Sequence, residues 1–299
     1  MNKLNSKITE LLHEQVSNWE LARTNFAGLK TVRTKSFNFG DFEVKVLFNP
    51  ARIVSSGAKV DAKTIAERKC FLCTENRPAE QTSVDAGDYL ILVNPFPIFP
   101  EHFTIPRKEH VDQQIKPYFA DMLQLAEALD DYLIFYNGPS CGASAPDHMH
   151  FQAGTKDFLP LVNDYFRLKD THAQLLVESE NFQLFNFNNY FRTVYCIESS
   201  NMESAKDSFK KLYSHFVTEE NIEPMLNIVC TFEDGKWFTF VLPRKAFRPW
   251  QYTAEADQQL LISPATVEMC GIFITPIEAH FDKITKEDVV SILEQVSKD

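Results

Sequence analysis

The sequence predicts an α+β fold in which antiparallel sheets carry a few packed helices, and three observations lead there. Short apolar runs stop at turn residues: Tyr89 to Val93 ends in Asn94-Pro95, and Ile134-Phe135-Tyr136 leads into Asn137-Gly138-Pro139. The runs Met225 to Phe232 and Trp237 to Leu242 flank Glu233-Asp234-Gly235, which predicts a hairpin. Apolar stripes at helical spacing are few.

Taken in order, Ile8, Leu11, Leu12, Val16 and Trp19 predict an amphipathic opening helix. Phe42-Glu43-Val44-Lys45-Val46 alternates as a strand does, and an irregular approach to Cys70 follows. Prolines 50, 95, 97, 100 and 106 mark loops or strand edges. Ile115, Phe119, Met122, Ala126, Leu129 and Leu133 form the clearest helical stripe, expected to lie across a sheet face. A strand through His148, His150 and Gln152 comes next. The second half predicts a strand over Phe191 to Ile197, a helix over Glu203 to Phe216, the hairpin, a strand over Val267 to Thr275 and a closing helix over Glu287 to Val296.

With 299 residues, 44% of them apolar and 26 of them Phe, the chain can bury one large core or two smaller ones, and two halves fit the length better. No linker or low-complexity tract divides it, so the halves are expected to pack together. Thirty basic against 41 acidic residues give a net charge of -11 and no long basic stripe, which argues against nucleic acid as a partner. Small phosphorylated ligands stay compatible, because Arg52, Lys59, Arg68, Lys69, Arg77, Arg107 and Lys108 crowd the first half. No apolar run is long enough to cross a bilayer and no apolar signal segment opens the chain, so a cytoplasmic protein without membrane contact is expected. Of six cysteines only Cys70 and Cys73 are close in sequence, which in a reducing compartment suggests a metal more than a disulfide framework.

Chemistry concentrates in Cys141-Gly142-Ala143-Ser144-Ala145-Pro146-Asp147-His148-Met149-His150-Phe151-Gln152. In an extended tail, the period of two puts His148, His150 and Gln152 on one side and Met149 and Phe151 on the other. Cys70-Phe71-Leu72-Cys73 offers two thiolates at the spacing of a tetrahedral site, although ordinary buried cysteine explains such a pair too. His102, His110 and His148 are the imidazoles available to complete a set. A strand start would equally explain His102, and a solvated charged loop His110. His150 suits nucleophilic attack on phosphorus, with a neighbouring carbonyl or metal-linked partner setting its tautomer; a satisfied core histidine is the plainer alternative. Gly142, Ala143 and Ser144 would let backbone amides approach phosphate oxygens, and Gln152 can donate to the same oxygens without adding charge.

The segment Ser144 to Gln152 resembles the active-site segment of the histidine-triad superfamily in its transferase branch: galactose-1-phosphate uridylyltransferase, dinucleoside tetraphosphate phosphorylase and the GDP-hexose phosphorylases. Ile91 to Pro106 resembles the strand, loop and strand that precede the long helix in those families. The resemblance covers residues 49–154 best and implies histidine-triad-like antiparallel sheets packed with helices, in two related halves as in the uridylyltransferase: 1–170 with the catalytic histidine and metal, 171–299 completing the pocket. It implies His150 as nucleophile, Gln152 on the transferred phosphoryl group, and Asn137 and Ser144 on phosphate oxygens. It also implies zinc held by Cys70, Cys73, His110 and His148, with His102 in reserve. The insert Ala145-Pro146-Asp147 is one residue longer than the uridylyltransferase pattern, and His280 alone does not make that family's second metal site. Phe240 to Arg248 is more similar to a phosphorylase segment, whose Arg244 and Arg248 would hold an acceptor phosphate.

The implied activity is a two-step nucleotidyl transfer through His150, from a nucleotide sugar or dinucleoside polyphosphate to inorganic phosphate or a sugar phosphate. Arg52, Lys59 and Arg68 are further candidates for phosphate, and Asn94 for a ribose hydroxyl. Homodimers are common in the resembled families. A nucleotidyl hydrolase and a zinc-stabilised nucleotide-binding protein without catalysis are the competing expectations.

Overall fold

In the computed structural model, residues 3–53, 57, 61–188, 190–219 and 222–298 are described. The chain runs α1 (Lys3–Asn18), α2 (Glu20–Gly28), β1 (Arg33–Asn38), β2 (Glu43–Phe48), α3 (Ala62–Glu67), β3 (Ser83–Ala86), β4 (Tyr89–Val93), β5 (His102–Pro106), α4 (Phe119–Ala128), β6 (Tyr132–Asn137), β7 (His150–Thr155) and α5 (Pro160–His172). It continues with β8 (Ala173–Glu178), β9 (Phe182–Phe187), β10 (Val194–Ser199), α6 (Met202–Phe216), β11 (Leu226–Glu233), β12 (Lys236–Pro243), α7 (Trp250–Thr253), α8 (Thr266–Met269), β13 (Ile272–Thr275), α9 (Glu278–Lys283) and α10 (Lys286–Val296).

Ten strands form one sheet in the order β3-β4-β5-β7-β6-β11-β12-β10-β9-β8. The order has an internal symmetry: β3, β4, β5, a helix, β6 and β7 are repeated as β8, β9, β10, a helix, β11 and β12, and the repeats meet where β6 pairs antiparallel with β11. The two repeats therefore share a continuous hydrogen-bonded ladder. The helices α4 and α6 meet across the seam through Phe119 and Phe209, stacked at 3.8 Å between ring centroids.

Directly paired residues point to the same face of an antiparallel sheet, and each face here buries its own core. Phe135, Val229, Phe240 and Cys196 join α5, α10 and the β2-β13 region on one side. Ile134, Tyr136, Phe151, Ile228 and Cys230 join α1, α4 and α6 on the other. Each such aromatic or aliphatic side chain contributes roughly 1.5–3 kcal/mol of burial. A second, three-stranded sheet has the order β1-β2-β13, with β13 parallel to β2. A parallel pairing between residues this far apart leaves no local mark in the sequence.

The hairpin forms as expected, with Glu233 opposite Lys236 and both Asp234 (φ 48) and Gly235 (φ 79) in the left-handed region that a type I′ turn requires. Several expectations change. The stripe from Ile115 to Leu133 is a helix only over Phe119–Ala128: Pro117 disfavours helical backbone at the residue before it, the Ile115 N–H is taken by Glu223 Oε1 at 2.8 Å, and Leu133 belongs to β6. The run Val267 to Thr275 splits into α8 and β13 around Gly271 (φ 98). The strand expected from Phe191 begins at Val194 because Phe191 itself sits at φ 55. No described helix is long and apolar enough to cross a membrane.

Candidate active site and metal-binding cluster

His150 is the first residue of β7, opposite Pro106 of β5, and is 3% exposed. The expected strand does not reach back to His148, which lies in the loop before it. Where β6 and β7 diverge, Gln113 closes the gap: its Oε1 accepts from the His150 N–H at 2.8 Å, and its Nε2 donates to the carbonyls of His150 (3.0 Å) and Asn137 (2.9 Å). His150 Nδ1 lies 2.8 Å from the His148 carbonyl. A carbonyl only accepts, so Nδ1 carries the proton and Nε2 keeps its lone pair; no described residue hydrogen-bonds to Nε2. Burial is the main cause that depresses the imidazole to about 4.

Gln152 follows on the same face, opposite Thr104 of β5 and Phe135 of β6. Its Oε1 lies 3.0 Å from His102 Nε2, and His102 Nδ1 accepts from the Ile98 N–H at 3.2 Å. The reserve role of His102 as a metal ligand is thereby corrected: its two nitrogens serve the Pro97 to His102 loop and Gln152, because its strand places it on the sheet rather than beside the cysteines. Burial, then the Arg52 cation, lowers its pKa to about 3.

The ligand atoms of Cys70, Cys73, His110 and His148 all lie within 4.8 Å of one another. Cys70 Sγ is 3.2 Å and Cys73 Sγ 3.6 Å from His148 Nδ1, and Cys73 Sγ is 3.2 Å from His110 Nδ1. Metal–ligand bonds of roughly 2.0–2.3 Å make the edges of a tetrahedron about 3.3–3.8 Å, so the cluster is near the size such a site requires. The His148 Nε2–H donates to the Arg107 carbonyl at 2.7 Å, which leaves Nδ1 as a lone pair aimed at the sulfurs. Burial opposes ionisation of Cys70, but the His148 ring beside it and hydrogen bonds from the Leu72 and Cys73 amides outweigh it and lower its pKa; burial and the Cys70 charge raise that of Cys73. One thiolate forms readily, and a second needs a cation between them. The four residues could hold a metal.

The other predicted residues fare unevenly. Asn137 Oδ1 turns inward, accepting from the Thr266 N–H at 2.8 Å and from Asn227 Nδ2 at 3.0 Å. Asn94 closes its own turn by accepting from the Phe96 N–H at 2.9 Å, and donates to Thr104 Oγ1 at 3.1 Å. Ser144 is exposed at the loop rim. Gly142 (φ 99) is required by packing, since a Cβ there would lie 2.4 Å from that of Ala265; the Ala143 amide turns back to the Gly138 carbonyl. Arg52 donates to the Phe96 carbonyl at 2.7 Å, and burial, opposed by Glu268, lowers it to about 10. Arg68 pairs with Asp147 at 2.5 Å beside the cysteines. Lys59 lies outside the described residues.

Arg244 is corrected outright as an acceptor ligand. Its five N–H groups donate to the carbonyls of Val296, Pro264, Ala246 and Phe247 and to Asn227 Oδ1, so none remains for a phosphate. Arg248 donates to Ser263 Oγ at 3.0 Å and lies over the rings of Phe247 and Tyr252 at 4.4 and 4.0 Å. Both arginines fasten the segment between β12 and α8.

Two residues escaped the sequence reading. Gln113 carries no local signal. Glu268 does, as the lone acid in Val267 to Ile274: it is buried in α8, accepts from the Ala265 N–H at 2.9 Å, and is pushed up to about 7 by burial against the opposing Arg52 and Arg244 cations. Cavities of about 450 and 700 Å³ along α10 and residues 186–188 and 190–193 share Phe191 and Glu294 and contain no predicted site residue.

A domain of unknown function (DUF4922) matches residues 11–155, and a GDPGP1-like C-terminal domain matches 167–299. Diadenosine 5',5'''-P1,P4-tetraphosphate phosphorylase 2 of Saccharomyces cerevisiae is 27% identical over 163 residues, 48% of this chain and 50% of the yeast protein. Galactose-1-phosphate uridylyltransferase of Lactococcus lactis subsp. cremoris is 27% identical over 117 residues, 36% of this chain and 24% of that protein. The matched stretches thus span half or less of these curated relatives. In fold, the chain is similar to the crystal structure of yeast Ap4A phosphorylase in complex with Ap4A, with a TM-score of 0.63 and 18% identity over 97% of each chain. The complex of the same enzyme with AMP gives 0.59 and 18% over 94% of each. In sequence the chain is thus similar to dinucleoside tetraphosphate phosphorylase and galactose-1-phosphate uridylyltransferase, and in fold to Ap4A phosphorylase.

Proposed function

We propose that the protein is a nucleotidyltransferase of the phosphorylase type, acting on a dinucleoside polyphosphate or a nucleoside diphosphate sugar through a covalent nucleotidyl-His150 intermediate. One observation carries this reading: a buried, neutral imidazole whose Nδ1 proton is held by the His148 carbonyl and whose Nε2 has no described protein partner. Nε2 attacks the α-phosphorus, the N–P bond forms, and the bond from phosphorus to the leaving phosphate oxygen breaks. The positive charge that His150 acquires is eased by its Nδ1–H bond to the carbonyl. An oxygen of inorganic phosphate or a sugar phosphate then attacks the same phosphorus, the P–N bond breaks, and His150 is restored. Gln152, two residues along the same face, donates to the phosphoryl oxygens as charge builds.

Zinc suits the cluster because two thiolates and two imidazoles fill four positions and leave none open, so when bound it supplies structural anchoring rather than Lewis-acid chemistry. Cys70, Cys73, His110 and His148 would hold it, tying the cysteine loop to the chain two residues before the nucleophile. The symmetric strand order supports two related halves, 1–170 and 171–299, with the second supplying Thr266 beside Asn137 and Glu268 opposite the Arg52 charge. A homodimer is part of the same proposal.

Panels of dinucleoside polyphosphates and nucleotide sugars, each with and without phosphate, test the reading. Phosphate-dependent cleavage that disappears in His150→Ala is expected. Acceptor-independent release of nucleotide monophosphate would make the protein a hydrolase, and unchanged nucleotide binding with no turnover in either protein would make it a binding protein.

A further inference from the structure

We propose that His102 is a positioning residue for the transfer step: as its neutral Nε2–H tautomer it fixes the side-chain amide of Gln152 so that the NH2 end, not the oxygen, faces the phosphoryl group on His150. The proposal rests on His150 being the nucleotidyl acceptor.

The chemistry leaves one arrangement. The Ile98 backbone N–H, 3.2 Å from His102 Nδ1, only donates, so Nδ1 must be an acceptor. In the neutral ring the proton is then on Nε2, which lies 3.0 Å from Gln152 Oε1. The oxygen of the amide is thereby bound to His102, and its two N–H donors point away from it. The inverted amide would set an NH2 against the Nε2–H and turn a carbonyl dipole toward an anion, unfavourable at both ends. Adding a proton at Nδ1 would oppose it to the Ile98 N–H, and burial beside the Arg52 cation disfavours that charge.

Packing holds the imidazole in this pose. His102 is 1% exposed, with Phe99 edge-on at 5.2 Å and Phe135 stacked at 6.0 Å between centroids. Gly154, directly opposite His102 in the ladder, has no Cβ because one would lie 2.6 Å from the Phe99 ring. The glycine lets Phe99 close over the imidazole. Gln152 can then stabilise charge on the phosphoryl oxygens without supplying a proton of its own.

Nitrogen-15 NMR of the resting protein tests the tautomer without any turnover: His102 should show a protonated Nε2 and a bare Nδ1 at neutral pH, and the reverse tautomer or an imidazolium would overturn the proposal. Kinetics test the role. His102→Gln places an amide donor near the Nε2 position, whereas His102→Asn keeps only an acceptor for Ile98. The Asn variant should lose about tenfold in kcat with KM little changed, the value of one buried hydrogen bond that matters in the transition state. The Gln variant should recover most of it, and in a Gln152→Ala background His102→Asn should cost nothing further. Equal losses in both variants, or full additivity with Gln152→Ala, would overturn it. Absence of transfer in the wild type would instead count against the proposed function, leaving the NMR result to stand alone.

Discussion

The Nδ1–H of His150 donates to the backbone carbonyl of His148 at 2.8 Å, while the ring of His148 has its own Nδ1 at 3.2 Å from Cys70 Sγ. The tautomer of the proposed nucleophile is therefore set by the main chain of a residue in the candidate metal cluster. Displacing His148 would move the carbonyl and the direction of the His150 lone pair together.

Elemental analysis should accordingly find about one zinc per chain, the capacity of a single four-ligand site. Cys73→Ser should abolish it, lower the melting temperature, and reduce transfer activity along with metal content. A protein that holds no zinc yet keeps full activity would separate the cluster from the nucleophile.

Gln113→Leu would keep the approximate side-chain volume and leave the His150 N–H and the carbonyls of His150 and Asn137 without their buried partner. A loss of about 3 kcal/mol is expected from groups of this kind, read from urea unfolding. A loss below about 1 kcal/mol would mean that water or the ladder replaces the amide.

Arg244→Met should destabilise the fold by about 3 kcal/mol or more, since four carbonyls and Asn227 Oδ1 lose their donor together. Arg248→Ala, which removes one described hydrogen bond and stacking at a half-buried site, should cost about 1 kcal/mol. A stable Arg244→Met protein with only a raised KM for phosphate would restore the acceptor role denied to it here.

Much of this was written in local sequence. Period-two alternation fixed the shared face of His150 and Gln152, and Asp234-Gly235 fixed the hairpin, because both depend on neighbouring residues alone. The Cys70-Phe71-Leu72-Cys73 spacing located half of the cluster, and the family resemblance chose His110 over His102. What escaped depends on distant partners. Gln113 matters only because β6 and β7 separate beside it, and Arg244 looks like a surface cation until the C-terminal helix and the Pro264 loop surround it. The resemblance to a phosphorylase segment assigned that arginine to phosphate, and burial reassigns it to the fold.

Glu268 makes stability depend on pH in a definite direction. Burial raises its carboxyl from 4.5 to about 7, so the folded state binds more protons than the unfolded one between those values. Its contribution is complete below about pH 4.5 and is lost as pH rises through about 7, on the order of 3 kcal/mol in all. Glu268→Gln should therefore be more stable than the wild type at pH 8 and little different at pH 4.5, measured by thermal unfolding across the range. Parallel profiles for the two proteins would place the carboxylate in a less buried setting.

The stereochemical course at the α-phosphorus, followed with an isotopically chiral phosphorothioate substrate through one complete transfer, tests the central claim most directly. Attack by His150 and its later displacement are two in-line inversions, so retained configuration is the predicted result. Net inversion would mean that the acceptor attacks the substrate itself, with no nucleotide ever carried on His150.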